Sequence, residues 1–408
     1  MYSQLPIVKK SLDPLCHNVP NDAVLIHGKL YSVDEFNHPG GRLFVEMVKG
    51  TDATNLFETH HINYKKAVRS LSKLPIASNT KRGKSIVYNF DSYREFREKA
   101  FDLFCTKESR VMNIVNQSVM IFTVFITCVL HILSLRTNVW SISWIVSCIM
   151  CSIFNTICGG YGHNALHRLE YASILLDWNG LSAYEWLHEH VHSHHMYTNT
   201  QNDNDALSMA PLLLWIPTRT KDGDLMVSLI PSWGKHLIYS IAEIVVAFKG
   251  IFLHRARWKI GDPRVPLWLQ LAPFIFILRI VSYMFQRDGI WTCAFTMIMA
   301  GYYFAHLAHL THVYGGDHTP DFLNHQLMNT KDIPSPLFPA LIMFLDRQTL
   351  HHLLPTICHT RLTKDIRKKL SVNNFMVPFE YRSLYHIQTN VLRGNYSPEG
   401  ARTPTALA

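Results

Sequence analysis

The sequence predicts an α-helical integral membrane protein, with four transmembrane helices in two hairpins, a cytosolic histidine-rich helical cap and a small N-terminal α+β domain. Three observations predict it. Apolar residues make up 48% of the 408 residues and Asp, Glu, Lys and Arg only 17%, against about 25% charged residues in soluble domains. Apolar runs near the ~20 residues that a spanning helix needs occur in two closely spaced pairs. Three histidine clusters, HNALH at 163–167, HVHSHH at 190–195 and QTLHH at 348–352, each lie beside strongly apolar stretches.

Residues 1–77 are mixed and polar, with strand-like runs from Ala23 to Ile26 and from Lys29 to Ser32 and helix-like segments from about Gly41 onward. The first residues, MYSQLPIVKKSLDP, contain no apolar core of the kind a cleaved signal peptide has, so none is expected. Residues 78–113 read as a basic linker (Lys81, Arg82, Lys84) followed by a charged amphipathic helix, Tyr93 to Glu108, lying ahead of the membrane. Residues 114–375 form the membrane domain. Ile114 to Leu135 and Val139 to Ile157 are parted only by Arg136, Thr137 and Asn138, and Val265 to Phe285 and Gly289 to Leu307 only by Gln286, Arg287 and Asp288. Leu225 to Phe252 is also apolar, but Lys235, His236, Glu243 and Lys249 make it a surface-lying amphipathic segment rather than a fifth span. Arg279, inside the third span, is expected to face protein or water. Residues 376–408 are a C-terminal cytosolic segment whose tail, from Pro398, reads as disordered.

Each hairpin returns to the side it left, so residues 1–113, 158–264 and everything after about 310 share one face, and all three histidine clusters lie on it. The opposite-side turns hold only Arg136 and Arg287 among the basic residues, so the shared face is cytosolic. The net charge of +9 fits basic segments against anionic lipid. No stacking-aromatic or recognition-helix pattern accompanies it, which excludes nucleic acid as the partner. The eight cysteines form no secreted-type framework, and Cys148 and Cys151, spaced C-x-x-C inside an apolar run, read as packing residues.

Histidine without thiolate suits a redox-active or Lewis-acidic first-row ion. His163 and His167 are four apart, which on a helix sets both rings on one face. His190, His194 and His195 repeat that pair with one neighbour turned toward a second metal, and His351 and His352 follow Gln348 by three and four. The stretch AHLAHLTH adds His306, His309 and His312; His312 lies deepest in the cytosolic segment and is the choice to close the site, with His309 second. A rival motif overlaps the second cluster: His188, Glu189 and His192 spell H-E-x-x-H, the signature of a membrane zinc protease. That reading leaves the other histidines without a role.

A separate signal lies near the N-terminus: His38-Pro39-Gly40-Gly41, then Asp52-Ala53-Thr54, Phe57, His60 and His61. The glycines let backbone approach a planar cofactor, and a histidine on either side of a haem gives six-coordinate iron suited to electron transfer. The spacing resembles the cytochrome b5 family; His38 matches the first axial ligand and His61 the second, with His60 the alternative.

Over nearly its full length the chain resembles a membrane fatty acyl desaturase of the front-end type with a fused N-terminal cytochrome b5-like domain. The features that carry the resemblance are HNALH, HVHSHHMYTN with Tyr197, Thr198 and Asn199, and QTLHH with Gln348 where other desaturases have histidine. Asn164 stands where an aspartate is usual, and Leu353-Leu354-Pro355 where LFP is usual, which bears on subclass. The resemblance implies that His163, His167, His190, His194, His195, His351 and His352, with His312 and Gln348, hold two non-haem irons. It implies a haem b in the N-terminal domain and an O2-dependent desaturation fed by NADH-derived electrons from NADH-cytochrome b5 reductase. The substrate is then an acyl lipid or acyl-CoA, in polyunsaturated fatty acid biosynthesis of delta-5 or delta-6 type, at the endoplasmic reticulum membrane with both termini cytosolic. Asp203 or Asp205 is a candidate to orient ligands. A sphingolipid long-chain-base desaturase or a fatty acyl hydroxylase would use the same irons. A haem-bearing electron carrier with a metal-transport module is the non-catalytic alternative, disfavoured because the histidines cluster at span ends.

Overall fold

The computed structural model describes residues 19–76, 88–104, 109–200, 202–206, 218–219, 225–226, 232–257, 261–312, 319–334 and 339–372. The expected basic linker, Glu108 and the C-terminal segment with its tail lie outside the described residues.

The N-terminal domain is built on strands β1 (Ala23–Ile26) and β2 (Lys29–Ser32), antiparallel with Ala23 opposite Ser32. The turn residues His27 and Gly28 both have positive φ, 50° and 76°, the conformation whose twist matches the flanking strands. Helices α1 (Arg42–Val48), α2 (Thr54–His60) and α3 (Tyr64–Leu71) follow. Val24, Ile26, Val33, Val45, Ala53 and Phe57 make one apolar core. At the start of α2 the Asp52 carboxylate accepts from the Thr54 N–H at 3.0 Å, satisfying a donor that a helix start leaves open.

Helix α4 (Asp91–Phe104) joins this domain to the rest. Tyr93, Phe96, Ala100 and Phe104, at helical spacing, form one apolar face that packs with Met196, Phe322, Leu350 and Leu353. Its other link is ionic: buried Glu58 of α2 accepts from Arg97 at 2.9 Å and also pairs with Arg94 and His27. Burial pushes the Glu58 carboxyl up, but these partners outweigh it and hold it at about 2. Removing one member of such a buried set costs about 3–5 kcal/mol.

Four helical stretches are long and apolar enough to cross a membrane: Asn116–Arg136, Ile142–Leu166, Leu267–Met284 and Gly289–Leu310. They belong to α5 (Ser109–Arg136), α6 (Ile142–Leu166), α8 (Pro273–Met284, preceded by the turn of helix Leu267–Leu271) and α9 (Gly289–Leu310). Large apolar side chains such as Ile121, Phe122, Phe125, Leu278 and Ile290 point outward and exposed, as a lipid-facing surface requires. Between helices, small and polar groups make the contacts: Trp144 donates to Thr292 at 2.8 Å and Ser152 to the Thr296 carbonyl at 3.0 Å. Cys148 and Cys151 are buried free thiols.

Two expectations are corrected. Helix α6 runs past Ile157 to Leu166, because Gly160 and Gly162 are sites of close packing rather than breaks; a Cβ at Gly162 would lie 2.8 Å from the Leu176 backbone nitrogen. The span therefore carries the first histidine pair at its own C-terminal end. Helix α7 (Ser232–Arg257) does not lie apart on a surface but packs along α9, with Tyr239 beside His309 and Ala247 beside Met297. Its charges allow this because they are paired inside the protein: Glu243 with Arg279 at 2.7 Å and Lys249 with Glu189 at 2.6 Å. Arg279 faces protein, donating also to the Trp178 carbonyl at 2.9 Å.

Candidate metal centre and haem pocket

The last turn of α6 presents His163, and His167 is the residue that caps it. The second cluster lies on a π-helical segment, Leu187–His194, and not on the α-helix that i, i+4 spacing suggests. Its i to i+5 bonding widens the turn, so that His190 and His195, five apart, face each other with Nε2 atoms 3.0 Å apart. The third cluster is α10 (Gln348–Leu353), and His312 follows the end of α9.

These side chains converge into two groups. Nitrogen atoms of His163, His167, His190, His195 and His351 lie within 4.8 Å of one another, and so do those of His194, His312 and His352. Nitrogen ligands about 2.0–2.1 Å from one ion lie at most about 4 Å apart, so each group fits an ion with small adjustment. Gln348 sits with the second group, its amide nitrogen 3.0 Å from His312 Nε2 and 3.2 Å from His352 Nε2. Its Oε1 is buried without a partner, and a half-turn of the amide would direct that oxygen at an ion.

Carboxylates stand behind the ring nitrogens. Asp205 meets His190 Nδ1 at 2.9 Å and Asp203 meets His194 Nδ1 at 2.8 Å, fixing both rings with Nε2 toward the centre. Behind His352, the Gln326 oxygen is 3.0 Å from Nδ1. Burial first, and crowding by other imidazoles second, lower the proton affinity of His167, His190, His195, His351, His352 and His312 well below the usual value. They are neutral, the form that ligates. His194 differs: burial lowers it, but Asp203 more than offsets this and its affinity is raised.

His309 is engaged with the Tyr239 hydroxyl, and His306 stacks on Tyr302, so neither joins the groups. In the rival H-E-x-x-H motif, Glu189 is paired with Lys249 at 2.6 Å, and the His192 ring lies 6.5 Å from Phe44 of the N-terminal domain. Neither His188 nor His192 belongs to a metal-holding group among the described residues.

Sequence reasoning missed His359, which is fully buried with its ring 3.9 Å from His351, and Gln326 behind His352. Neither has a spacing that links it to the clusters.

In the N-terminal domain His38 and His61 face each other with ring centroids 5.8 Å apart, and both line a cavity of about 460 Å3 with Val24, Phe36, Phe44 and Leu71. His61 directs Nδ1 at the Phe57 carbonyl, 2.9 Å away, leaving Nε2 for a ligand. A Cβ at Gly40 would lie 2.9 Å from the His38 ring, so glycine is required for that ring position. The apolar walls, the facing imidazoles and this close backbone fit a planar haem. His60 also lines the cavity but lies toward His167, at 6.4 Å between rings.

A second cavity, about 120 Å3, opens on His163, His190, His194 and His312 and continues between α6, α7 and α9 past Phe304 and Val246 to Thr156, Asn179, Glu243 and Ala300. Along α9 alone, the distance from Thr311 to Ala300 at helical rise is about 16 Å.

The Fatty acid desaturase family model matches residues 107–368, and the Cytochrome b5-like Heme/Steroid binding domain model matches residues 16–81. The chain belongs to the fatty acid desaturase family, whose members are oxidoreductases, and carries a fused cytochrome b5-like domain as front-end members do. Among similar proteins, the Acyl-lipid (8-3)-desaturase of Physcomitrium patens is 24% identical, covering 84% of this chain and 81% of that protein. The Cytochrome b5-related protein of Drosophila melanogaster is 24% identical, covering 82% of this chain and 78% of that protein. Acyl-lipid (8-3)-desaturase B of Dictyostelium discoideum is 24% identical over 48% of this chain, and the match spans only 45% of that protein's length. No solved structure matches the chain significantly.

Proposed function

We propose that the chain is a front-end fatty acyl desaturase that introduces a double bond into an acyl chain at a two-iron centre. The observation that carries this is the pair of buried imidazole groups beside a cavity between membrane-type helices. His163, His167, His190, His195 and His351 would hold one iron, and His194, His312 and His352 with Gln348 the other. Bound iron supplies O2-dependent hydrogen abstraction, which an unactivated methylene needs because its C–H has no acidity for a side-chain base to exploit. Asp203 and Asp205 keep His194 and His190 oriented, and Leu345, Phe304 and Met343 help to exclude water from the cavity beside them. The acyl chain lies along that cavity, past Phe304 and Val246 toward Glu243 and Ala300, and the depth available there limits how much chain passes the irons.

Residues 1–77 serve as the electron-receiving domain, with haem b between His38 and His61, reduced from NADH through cytochrome b5 reductase. Residues 78–113 lead into the membrane domain, 114–375, whose spans form two hairpins that leave the histidine cap and both termini, including 376–408, in the cytosol of an endoplasmic reticulum membrane. Similar proteins named Delta(5) fatty acid desaturase A and Acyl-lipid (7-3)-desaturase favour a delta-5 or neighbouring front-end position on an acyl lipid or acyl-CoA.

Expression in a host that lacks front-end desaturation, with fatty acids fed and new double bonds located by mass spectrometry, tests the reading. New unsaturation between an existing double bond and the carboxyl end is expected. Unsaturation only in sphingoid bases, or hydroxylated product, would move the function to those chemistries; no oxidised lipid from iron-loaded protein would end the desaturase reading.

A further inference from the structure

We infer that His60 is the positioning residue that couples the haem pocket to the metal centre and carries electrons between them. The inference rests on the haem and iron reading above. His60 and His61 end the same helix turn and diverge. His61 faces His38 across the haem cavity, whereas the His60 ring lies 6.4 Å from that of His167, a member of the five-imidazole group.

The ring nitrogens of this pair are left in a complementary state. His60 Nδ1 is engaged by the Thr59 hydroxyl at 2.9 Å, and its Nε2 is buried with no partner. His167 turns Nε2 into the cluster, 3.3 Å from His163 Nε2, and its Nδ1 is also buried with no partner. Asp205 stands behind His190 and Asp203 behind His194, whereas His167, like His195 and His351, has no hydrogen-bond partner behind its ring. For His167 the neighbouring ring from the N-terminal domain is that of His60, 6.4 Å away between centroids. A neutral imidazole supplies one donor and one acceptor, so the two orphaned nitrogens can satisfy each other, directly or through one water.

The contact is held from both sides. Asn55 donates to the Tyr197 hydroxyl at 3.2 Å and Thr59 to the Met196 sulfur at 3.3 Å, so α2 is seated on the segment that follows the second cluster. The haem cavity itself is closed by His167, Arg168, Val191, His192 and Thr356 from the desaturase half. His167 thus lines the haem cavity and belongs to the metal group, and His60 lines the same cavity beside it, so electron delivery needs no separate docking step. In each passage the haem is oxidised by one electron and the metal centre is reduced by one; two passages serve one double bond, and the external reductase refills the haem. The proton in the His60–His167 hydrogen bond stays where it is.

The test uses the full chain in lipid nanodiscs, loaded with haem and iron, without oxygen or lipid substrate. The haem is reduced by a light flash and its absorbance followed as the electron leaves. His60→Phe, which keeps a ring and removes both nitrogens, is expected to retain the native haem content and spectrum and to slow transfer by about tenfold or more, the scale of an outer-ligand loss. His60→Gln, which restores a hydrogen-bonding group, is expected to recover most of the native rate. Transfer at the native rate in His60→Phe would overturn the inference, and so would loss of haem in that variant with retention in His61→Phe. Native protein that binds iron but shows no transfer overturns the bridge alone, whereas native protein that binds no iron overturns the metal reading and the bridge with it.

Discussion

His38 and His61 face each other across a cavity of about 460 Å3 with apolar walls, while five imidazoles around His163 crowd their nitrogens within 4.8 Å. Both sites are made of histidine with lowered proton affinity, half-buried in the first and fully buried in the second, and they differ in what surrounds the rings. The first leaves room for a large planar group and offers two ligands to it; the second brings its nitrogens close enough to share one ion and backs His190 with Asp205. Under the proposed function the same side chain serves electron storage in one place and oxygen chemistry in the other.

That separation can be broken from either end. His194→Ala should abolish product formation while the haem spectrum survives, and His38→Ala should remove the haem while iron in the cluster stays; haem absorbance and iron analysis of the same samples read both. Loss of both cofactors in either variant would mean that the sites are not independent. A smaller effect is expected from Asp203→Asn, which keeps the shape but weakens the hold on His194. Metal affinity or turnover should fall about 10–100-fold, measured by iron titration against a competing chelator. Asp203→Asn should leave the haem spectrum unchanged.

The most general effect is on acid stability. Burial lowers His38 to about 4 and His60 to about 3, and lowers His167, His190, His195, His351, His352 and His312 as well. An unfolded histidine titrates near 6.5, so below that pH the unfolded chain binds more protons than the folded one. Stability of the metal-free protein is therefore level above about pH 7 and falls as pH drops from 6.5 toward 4, by up to about 1.4 kcal/mol per pH unit for each such group. His194, raised by Asp203, acts in the opposite direction, stabilising at low pH, but it is one group against many. Thermal unfolding between pH 5 and 8 reads the slope; a melting temperature that rises on acidification would contradict it.

Much of the molecule is legible in its linear sequence, for reasons that differ between the two sites. The haem pocket comes from one short stretch, so the spacing of HPGG, DAT and His61 carries it. The spans are legible as apolar runs, and the histidine boxes as local repeats. What escapes is set by tertiary packing. Whether Ser232–Arg257 lies on a surface or against α9 depends on Glu243 meeting Arg279 and Lys249 meeting Glu189, partners 36 or more residues away. The π-helical turn at 187–194 brings His190 and His195 together where α-helical periodicity pairs His190 with His194. His359 and Gln326 have no motif around them, and only the fold brings them to His351 and His352.

The central claim is that two metal groups, and not one, share the cluster beside a separate haem. Metal and haem analysis of the purified full-length chain tests it most directly. About two irons and one haem per chain are predicted. A single zinc per chain, retained in a His194→Ala variant and lost in His188→Ala, would contradict it.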